Sequence, residues 1–524
     1  MKMPFRKADV LRVMAAVRGA DGYADGYALA PALARAAALA ELTRLPGVGP
    51  ARAAILFDEL GVSNVVELRD ALDAGRLGGV RGLGDGVAAR LDTALRELAS
   101  PRPIVAAAAA EPHVLELISY MKQAPGLQSI EPAGALRRRC DVVDTAVLLA
   151  VSARPGPVMR HFLTCADAVM AGSSDPSRGS IVLHCGLHVD LRIVPGRCHG
   201  AALHQLTGSA AYEAAVRAIG LDRGVRISGY GVFRLEPGRV GARRVGGQRE
   251  HDIFDSLGMQ WIPPELRENR GEIEAALAHA LPLLVTRGDI RGDLRLRTAA
   301  SGGAASLDEM LRACRNARYA YCGIADRLGT GFHRQALRDQ AEQLAALRLK
   351  YAGLYVFHGV EAAVLPDGTL DIHDDDAAGL DLVIGAVQHR GRPGRVRATE
   401  RLLRALDDPR LRVLAYPTGR EPARREETPA DYEEVFRAAA ARGVAVELTA
   451  EPDRLDPPAP LLRRAAELGV PILIGSAAAA VPALDRIRYG IDQARRAWLE
   501  PRHVLNTLDR DRLQHWLDQY RRPR

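Results

Sequence analysis

Lysine is almost missing from this chain of 524 residues. Only Lys2, Lys7, Lys122 and Lys350 occur, so nearly all of the 71 basic side chains are arginine. Any mechanism built on a Schiff-base lysine has few candidates. The matching abundance of Ala, Gly and Pro fits a GC-rich coding bias. Cysteine is scarce as well. Cys140, Cys165, Cys185, Cys198, Cys314 and Cys322 form no CxxC pair. They read as reduced thiols of a cytoplasmic protein rather than a disulfide framework. No apolar run is long enough to cross a bilayer, so no membrane partner is expected. The N-terminus, MKMPFRKADV, has no apolar stretch followed by a small-residue cleavage site, so secretion is not expected.

What is present supports large cores and an anionic partner. Hydrophobic residues make up 48% of the chain, and its length suits about three or four domains. The net charge is +7 and the isoelectric point about 9.2. That balance favours nucleic acid. Residues 1–100 have a helical pattern with glycine-rich breaks. Residues 101–240 alternate short β-rich runs, such as VVDTAVLLA and HVDLRIV, with helical stretches. A Gly/Arg-rich stretch follows, and 241–284 reads as a linker or junction. From 285 to 524, strand-like runs (LDLVIGAV, LRVLAY, GVAVELTA, VPILIGS) alternate with helical patterns, which predicts a parallel α/β barrel or sheet.

Two glycine-rich loops open helices. Leu45-Pro46-Gly47-Val48-Gly49 precedes a helix starting near Pro50, and Val80-Arg81-Gly82-Leu83-Gly84 precedes one near Asp85. Glycines allow a tight turn and close approach to an anion. The helix N-terminus that follows presents unpaired N–H groups to a phosphate. Arg52 and Arg90 add charge just beyond. The expectation is sequence-independent DNA-backbone binding through Gly47, Val48, Gly49, Arg52, Gly82, Leu83, Gly84 and Arg90, against the plainer reading of a helical connection. The paired loops resemble the helix-hairpin-helix domain of family X DNA polymerases. Relatives with lyase activity use a lysine there; this chain has none between Lys7 and Lys122.

The resemblance continues. Ala133-Gly134-Ala135-Leu136-Arg137-Arg138 is similar to the family's Gly-Ser and Arg-pair signature, with Ala135 in place of the serine. Thr207-Gly208-Ser209 is similar to the turn beside the incoming nucleotide, and Tyr230-Gly231-Val232-Phe233 closes the similarity. The resemblance implies an Asp-x-Asp strand and a third Asp holding Mg²⁺ or Mn²⁺ for in-line displacement. The third Asp is kept as Asp190. The pair is not: its positions fall on Thr145 and Val147, or one earlier on Asp144 and Ala146. Asp190 and Asp144 are therefore the only candidates for residual catalysis, with Asp141 or Glu213 as helpers. Asp190 paired with Arg192 is the bland alternative. Gly134, Arg137, Arg138, Thr207, Gly208 and Ser209 are candidates for holding a deoxynucleotide's phosphates. His184, Cys185 and His188 alternate along a strand and lack a fourth ligand, so no zinc site is assigned.

Ile262 to Ile273, reading IPPELRENRGEI, resembles the junction between polymerase core and PHP domain in bacterial family X members. Pro417-Thr418-Gly419-Arg420, Pro452-Asp453-Arg454-Leu455-Asp456 and Ala494-Arg495-Arg496-Ala497-Trp498 match further segments. The resemblance implies a distorted β/α barrel with a His, Asp and Glu metal cluster. Here its His-x-His is Arg295-Leu296-Arg297, its Thr-Asp-His is Ala325-Asp326-Arg327, and later histidines become Gln388 (beside His389), Tyr416 and Ala479. Asp326 and Gly359-Val360-Glu361 remain. Arginine cannot ligate a cation. Arg295, Arg297 and Arg327 either neutralise Asp326 and Glu361 or bind an anion without hydrolysing it.

The expectation is thus a multidomain α+β and α/β protein: a helical N-terminal domain, a nucleotidyltransferase-like polymerase core and a PHP-like barrel. It is expected to bind gapped or damaged DNA in repair, with polymerase and nuclease chemistry weak or lost and a repair-protein partner. An active gap-filling polymerase with a rearranged metal site, and a nucleotide- or phosphate-sensing pseudoenzyme, stand as alternatives. A metal cofactor is expected only if the polymerase-like site works.

Overall fold

The computed structural model describes residues 42, 48, 50–80, 82–84, 86–89, 91–92, 95, 102–235, 242–329, 332–388, 391 and 393–519. The chain divides into two compact units, one of residues 1–103 with 172–176 and one of 104–171 with 177–524. Among the described residues, no helix is long and apolar enough to cross a membrane.

In the smaller unit, helices Pro50–Leu60 and Val65–Asp73 pack Ala53, Leu56, Leu68 and Ala71 into a core that also takes Val48 and Leu83. Asn64 caps the second helix by accepting from the Glu67 N–H at 2.9 Å, and the Glu67 carboxylate accepts from the Ser63 N–H at 2.7 Å. These bonds satisfy donors that a helix start would otherwise leave open.

A five-stranded mixed sheet follows, most of it in the larger unit. Its strands are β1 (Ser129–Ala133), β2 (Thr145–Val151), β3 (Ala168–Asp175), β4 (Arg178–Leu183) and β5 (His188–Val194), in the order β1-β2-β5-β4-β3. Strand alternation divides β2 between two faces. Ala146, Leu148 and Ala150 join Val189, Leu191 and Ile193 in one core, while Leu149 and Val151 join Ala133, Leu203 and Cys198 in another. The sheet is therefore covered on both sides.

A three-stranded antiparallel sheet follows: β6 (Val225–Ser228), β7 (Gly231–Leu235) and β8 (Ala242–Gly246). It packs with helices Ala210–Asp222 and His251–Ser256 around Tyr212, Val232 and Phe254. The stretch 242–284 thus carries ordered elements: β8, two short helices and a buried Ile262, Leu266 and Ile273.

Seven parallel strands then run in sequence order: β9 (Gly292–Leu296), β10 (Tyr321–Arg327), β11 (Tyr355–Val364), β12 (Leu382–Val387), β13 (Val413–Ala415), β14 (Ala445–Thr449) and β15 (Ile472–Gly475). Their near-continuous apolar runs suit strands buried on both faces. The ring is nearly closed. Leu296 bridges to Ala478, and the Arg297 N–H donates to the Ala478 carbonyl at 2.8 Å. Asn506 fills the remaining gap between first and last strands. Its amide donates to the carbonyls of Gly292 and Ile474, both at 2.9 Å, and its oxygen accepts from the Ile474 N–H at 2.8 Å.

Several bonds tie the barrel to the mixed-sheet region. Arg420 pairs with Asp141, Arg488 pairs with Glu111 at 2.8 Å, and Arg496 donates to the Arg138 carbonyl at 2.9 Å.

Candidate functional site

Register settles which residues share a face of the mixed sheet with Asp190. Thr145 lies opposite His188 and Val147 opposite Asp190 on adjacent parallel strands. Asp190 is flanked on its other side by Ser180 of β4. Val147 and Asp190 therefore project to one face, whereas Ala146 turns into the core on the other. Asp144 is exposed and precedes β2. Thr145 and Val147 thus share the Asp190 face of the sheet, and Asp144 lies before the strand. Gly134, at φ 60°, stands against Val147, whose Cγ2 would lie 3.2 Å from a Cβ placed there. A larger residue at 134 would push into the strand.

The other carboxylates named as helpers are engaged elsewhere. Asp141 pairs with Arg420. Glu213 lies 3.0 Å from His204 Nδ1 and 3.3 Å from Arg217. His184 contacts Asp167 at 3.2 Å and is exposed, as is Cys185. Among the described residues, no three His, Cys, Asp or Glu side chains gather as a metal site.

The phosphate-binding candidates form a tight cluster. Arg137 reaches Glu250 with both arms, at 2.7 and 3.0 Å, and donates to Thr207 Oγ1 at 2.8 Å. Arg138 donates to Glu268 at 2.9 Å and to the Thr207 carbonyl at 2.7 Å. Ser209 caps the next helix by accepting from the Tyr212 N–H at 3.2 Å. A Cβ at Gly208 would fall 2.4 Å from the Tyr212 ring, so the turn needs glycine. Burial works against a charged Glu250, yet Arg137 and Arg267 hold its carboxyl well below the usual range. Glu268 is likewise lowered, burial being outweighed by Arg138 and Arg496. Both arginines of the signature are therefore paired with acids of the 242–268 region.

In the barrel, Arg295 is fully buried and lies where strand ends converge. One arm donates to Glu361 at 2.7 Å, and the other reaches Glu447 and, at 3.4 Å, Thr449. Its Cζ sits 4.4 Å from the Tyr416 ring centroid. Arg327 donates to the other Glu361 oxygen at 2.6 Å. Burial would raise Glu361, but Arg295 and Arg327 hold it at about 2. Glu447 has only a share of one guanidinium, and burial pushes it up to about 7. Gly475 makes room for it: a Cβ there would lie 2.2 Å from Glu447 Oε1.

Among the described residues Asp326 pairs with no arginine. It accepts from the Thr298 N–H and hydroxyl, both at 2.7 Å, from Ser301 Oγ, and from Gln340 Nε2 at 2.6 Å. Arg297 is half-buried, and among the described residues its guanidinium makes no hydrogen bond or ion pair. These donors do not suit a metal cluster. Both Glu361 oxygens face guanidinium groups, and Asp326 is saturated by neutral donors.

Of the hairpin candidates, Val48 and Leu83 are core residues, Arg52 is half-buried, and Gly82 and Gly84 are exposed. Gly82 has φ 96°. Gly47, Gly49 and Arg90 lie outside the described residues, as does His389. Sequence reasoning missed Glu250, Glu268 and Glu447. Only Glu447 carried a signal, as a carboxylate inside the apolar run GVAVELTA.

Comparison with known proteins adds four findings. Residues 202–268 match the DNA polymerase beta thumb family. Over 475 residues the chain is 30% identical to the DNA polymerase/3'-5' exonuclease PolX of Bacillus subtilis, covering 89% of this chain and 82% of that protein. A stretch of 163 residues, 29% of this chain, is 28% identical to a probable phosphatase of Syntrophotalea carbinolica and spans 65% of it. The crystal structure of Leishmania infantum polymerase beta in a ternary complex aligns with 45% of this chain and 99% of its own, at 21% identity and a TM-score of 0.30.

Proposed function

Because the chain belongs to the PolX-type family X DNA polymerases, which join a polymerase core to a PHP domain, we propose that it is a DNA-binding member whose polymerase and exonuclease chemistry is weak or lost. In this reading residues 1–100 are a helix-hairpin-helix domain that holds the DNA backbone. Residues 101–240 are the core, 241–284 its junction, and 285–524 the PHP-like barrel. The protein acts in DNA repair, recognising gapped or damaged DNA and recruiting a partner protein.

The observation that carries the reading is Arg295. A positive side chain fully buried between Glu361 and Glu447 stands where the family would hold cations. The altered core agrees with it, since Val147 faces Asp190 with no second carboxylate in register. An active gap-filling enzyme would need Asp144 and Asp190 to converge, and Asp144 lies outside the strand that pairs with Asp190.

Arg297 favours an addition to this reading. Among the described residues the Arg297 guanidinium meets no acid, and with the half-exposed Arg327 it suits an anion such as a DNA phosphate. The nucleotide-sensing alternative has less support, because Arg137 and Arg138 already hold Glu250 and Glu268.

The test is a titration of the protein on a labelled one-nucleotide-gapped duplex with Mg²⁺ or Mn²⁺, with and without deoxynucleotides. Salt-sensitive binding without extension or degradation is expected. Extension that disappears in Asp190→Ala overturns the loss of catalysis. An absence of binding overturns the DNA-binding reading itself.

A further inference from the structure

A cavity of about 240 Å³ opens between helix Ala107–Met121 and helix Ile487–Arg496, where the core meets the barrel. Val114, Leu115, Ile118, Leu136, Leu455 and Tyr489 give it apolar and aromatic walls. Of the charged side chains that line it, Glu111, Arg137 and Asp141 pair with Arg488, Glu250 and Arg420, which leaves Arg139 and Asp492. They are close without being joined: Arg139 Nε lies 3.8 Å from Asp492 Oδ2.

The surroundings explain why neither finds a better partner. Arg139 also approaches Glu111, but only to 4.0 Å. Both Glu111 oxygens already accept from Arg488, at 2.9 and 2.8 Å, and one accepts from the Tyr489 hydroxyl at 2.9 Å. Among the described residues, neither the Arg139 guanidinium nor the Asp492 carboxylate makes a hydrogen bond. Arg139 is held at φ 56°, a conformation costly for a side chain with a Cβ, and its carbonyl accepts from Gln493 at 3.2 Å. Strained backbone, a charged donor and a charged acceptor thus meet at one slot whose other walls are largely apolar. Arg139 is 48% exposed and Asp492 22%, so both present donor and acceptor atoms that a ligand or water can reach.

We propose that this cavity is a binding site for a guanine base. A cavity of about 150 Å³ takes benzene, so this one has room for a flat purine ring. The ligand must offer N–H donors to a carboxylate and, next to them, an acceptor for a guanidinium. Guanine does so along one edge. Its N1–H and N2–H₂ groups donate to the two Asp492 oxygens, and its O6 accepts from Arg139. Adenine and cytosine offer the carboxylate a single amino group. Tyr489, braced by Glu111 and by Arg488 4.2 Å over its ring, supplies a flat wall. Burial raises the Asp492 carboxyl to about 6, with Arg139 opposing the rise, so it is largely an ionised acceptor at neutral pH. The inference does not rest on DNA binding.

The experiment uses the full chain without DNA and nucleosides without phosphates, so the outcome is separate from any DNA contact. Guanosine, adenosine, cytidine and xanthosine are titrated calorimetrically. Saturable guanosine binding, stronger than that of adenosine or cytidine, is expected. Xanthosine carries a carbonyl where guanosine carries the amino group, so Asp492→Asn is expected to weaken guanosine by roughly tenfold or more and to gain xanthosine binding. Arg139→Leu is expected to weaken both. A gain for xanthosine cannot come from a misfolded variant. Equal binding of all four nucleosides, unchanged guanosine binding in Asp492→Asn, or no saturable guanosine binding overturns the proposal.

Discussion

Val147 faces Asp190 across β2 and β5, and its methyl groups lie against Gly134. A branched apolar side chain thus fills the place from which a second carboxylate would join Asp190. A single carboxylate supplies few of the six or more oxygens that such an ion takes.

Restoring the missing pair tests this directly. Thr145→Asp with Val147→Asp is expected to create Mn²⁺ binding in the core that the wild-type chain lacks, measured by calorimetry or electron paramagnetic resonance. Equal Mn²⁺ binding by the wild type, removed by Asp190→Ala, would contradict the register argument.

Arg295 is expected to be the main support of the barrel interior. Arg295→Met leaves Glu447 without its cation and Glu361 with Arg327 alone. The expected loss is about 3–5 kcal/mol in chemical denaturation. Adding Glu447→Gln should recover part of it, because the stranded charge is then absent. The wild type should show the same unfolding midpoint in chelator as with added Mn²⁺ or Zn²⁺; a rise in midpoint with either metal would count against the argument.

Glu447 sets a pH dependence. Its folded pKa, about 7, lies above the ordinary glutamate value of 4.5, so the folded state holds the proton more tightly between those values. Its stabilising contribution is full below pH 4.5 and is lost as the pH rises through 7, on the order of 3 kcal/mol in all. Glu361 acts in the opposite sense: held at about 2, it contributes above pH 4.5 and loses that contribution as the pH falls toward 2. Urea midpoints at pH 5 and pH 7.5 should therefore fall less in Glu447→Gln than in the wild type. Identical falls would show that Glu447 does not titrate there.

Asn506 closes the ring between β9 and β15 with three buried hydrogen bonds. Asn506→Leu should destabilise the barrel by about 2–4 kcal/mol, since three backbone groups lose their partner. Hydrogen exchange at the Ile474 amide, which donates to Asn506, should accelerate more than exchange in β12. Uniform acceleration would argue against a local closure role.

Much of this architecture is written in local patterns. Apolar runs such as LDLVIGAV and VPILIGS announce buried parallel strands, and the core's alternation is plain in HVDLRIV. Motifs also singled out Asp190, Arg295 and Glu361. What they could not convey was pairing at a distance. The choice between Thr145 with Val147 and Asp144 with Ala146 depends on strand register, which no short motif encodes. Glu250 and Glu268 lie more than a hundred residues from Arg137 and Arg138, and charged residues in a chain this rich in both signs carry no label of their partner. Asp326 was expected beside an arginine, but Thr298, Ser301 and Gln340 reach it first. The 139–492 cavity needed the core and the barrel to be seen together.

A metal ion has to be captured after the chain is made, whereas the guanidinium of Arg295 is delivered by translation itself. The positive charge at the centre of the barrel is therefore present in every copy, in equal measure, from the moment the strands close around it. At that position the charge owes nothing to the supply of ions.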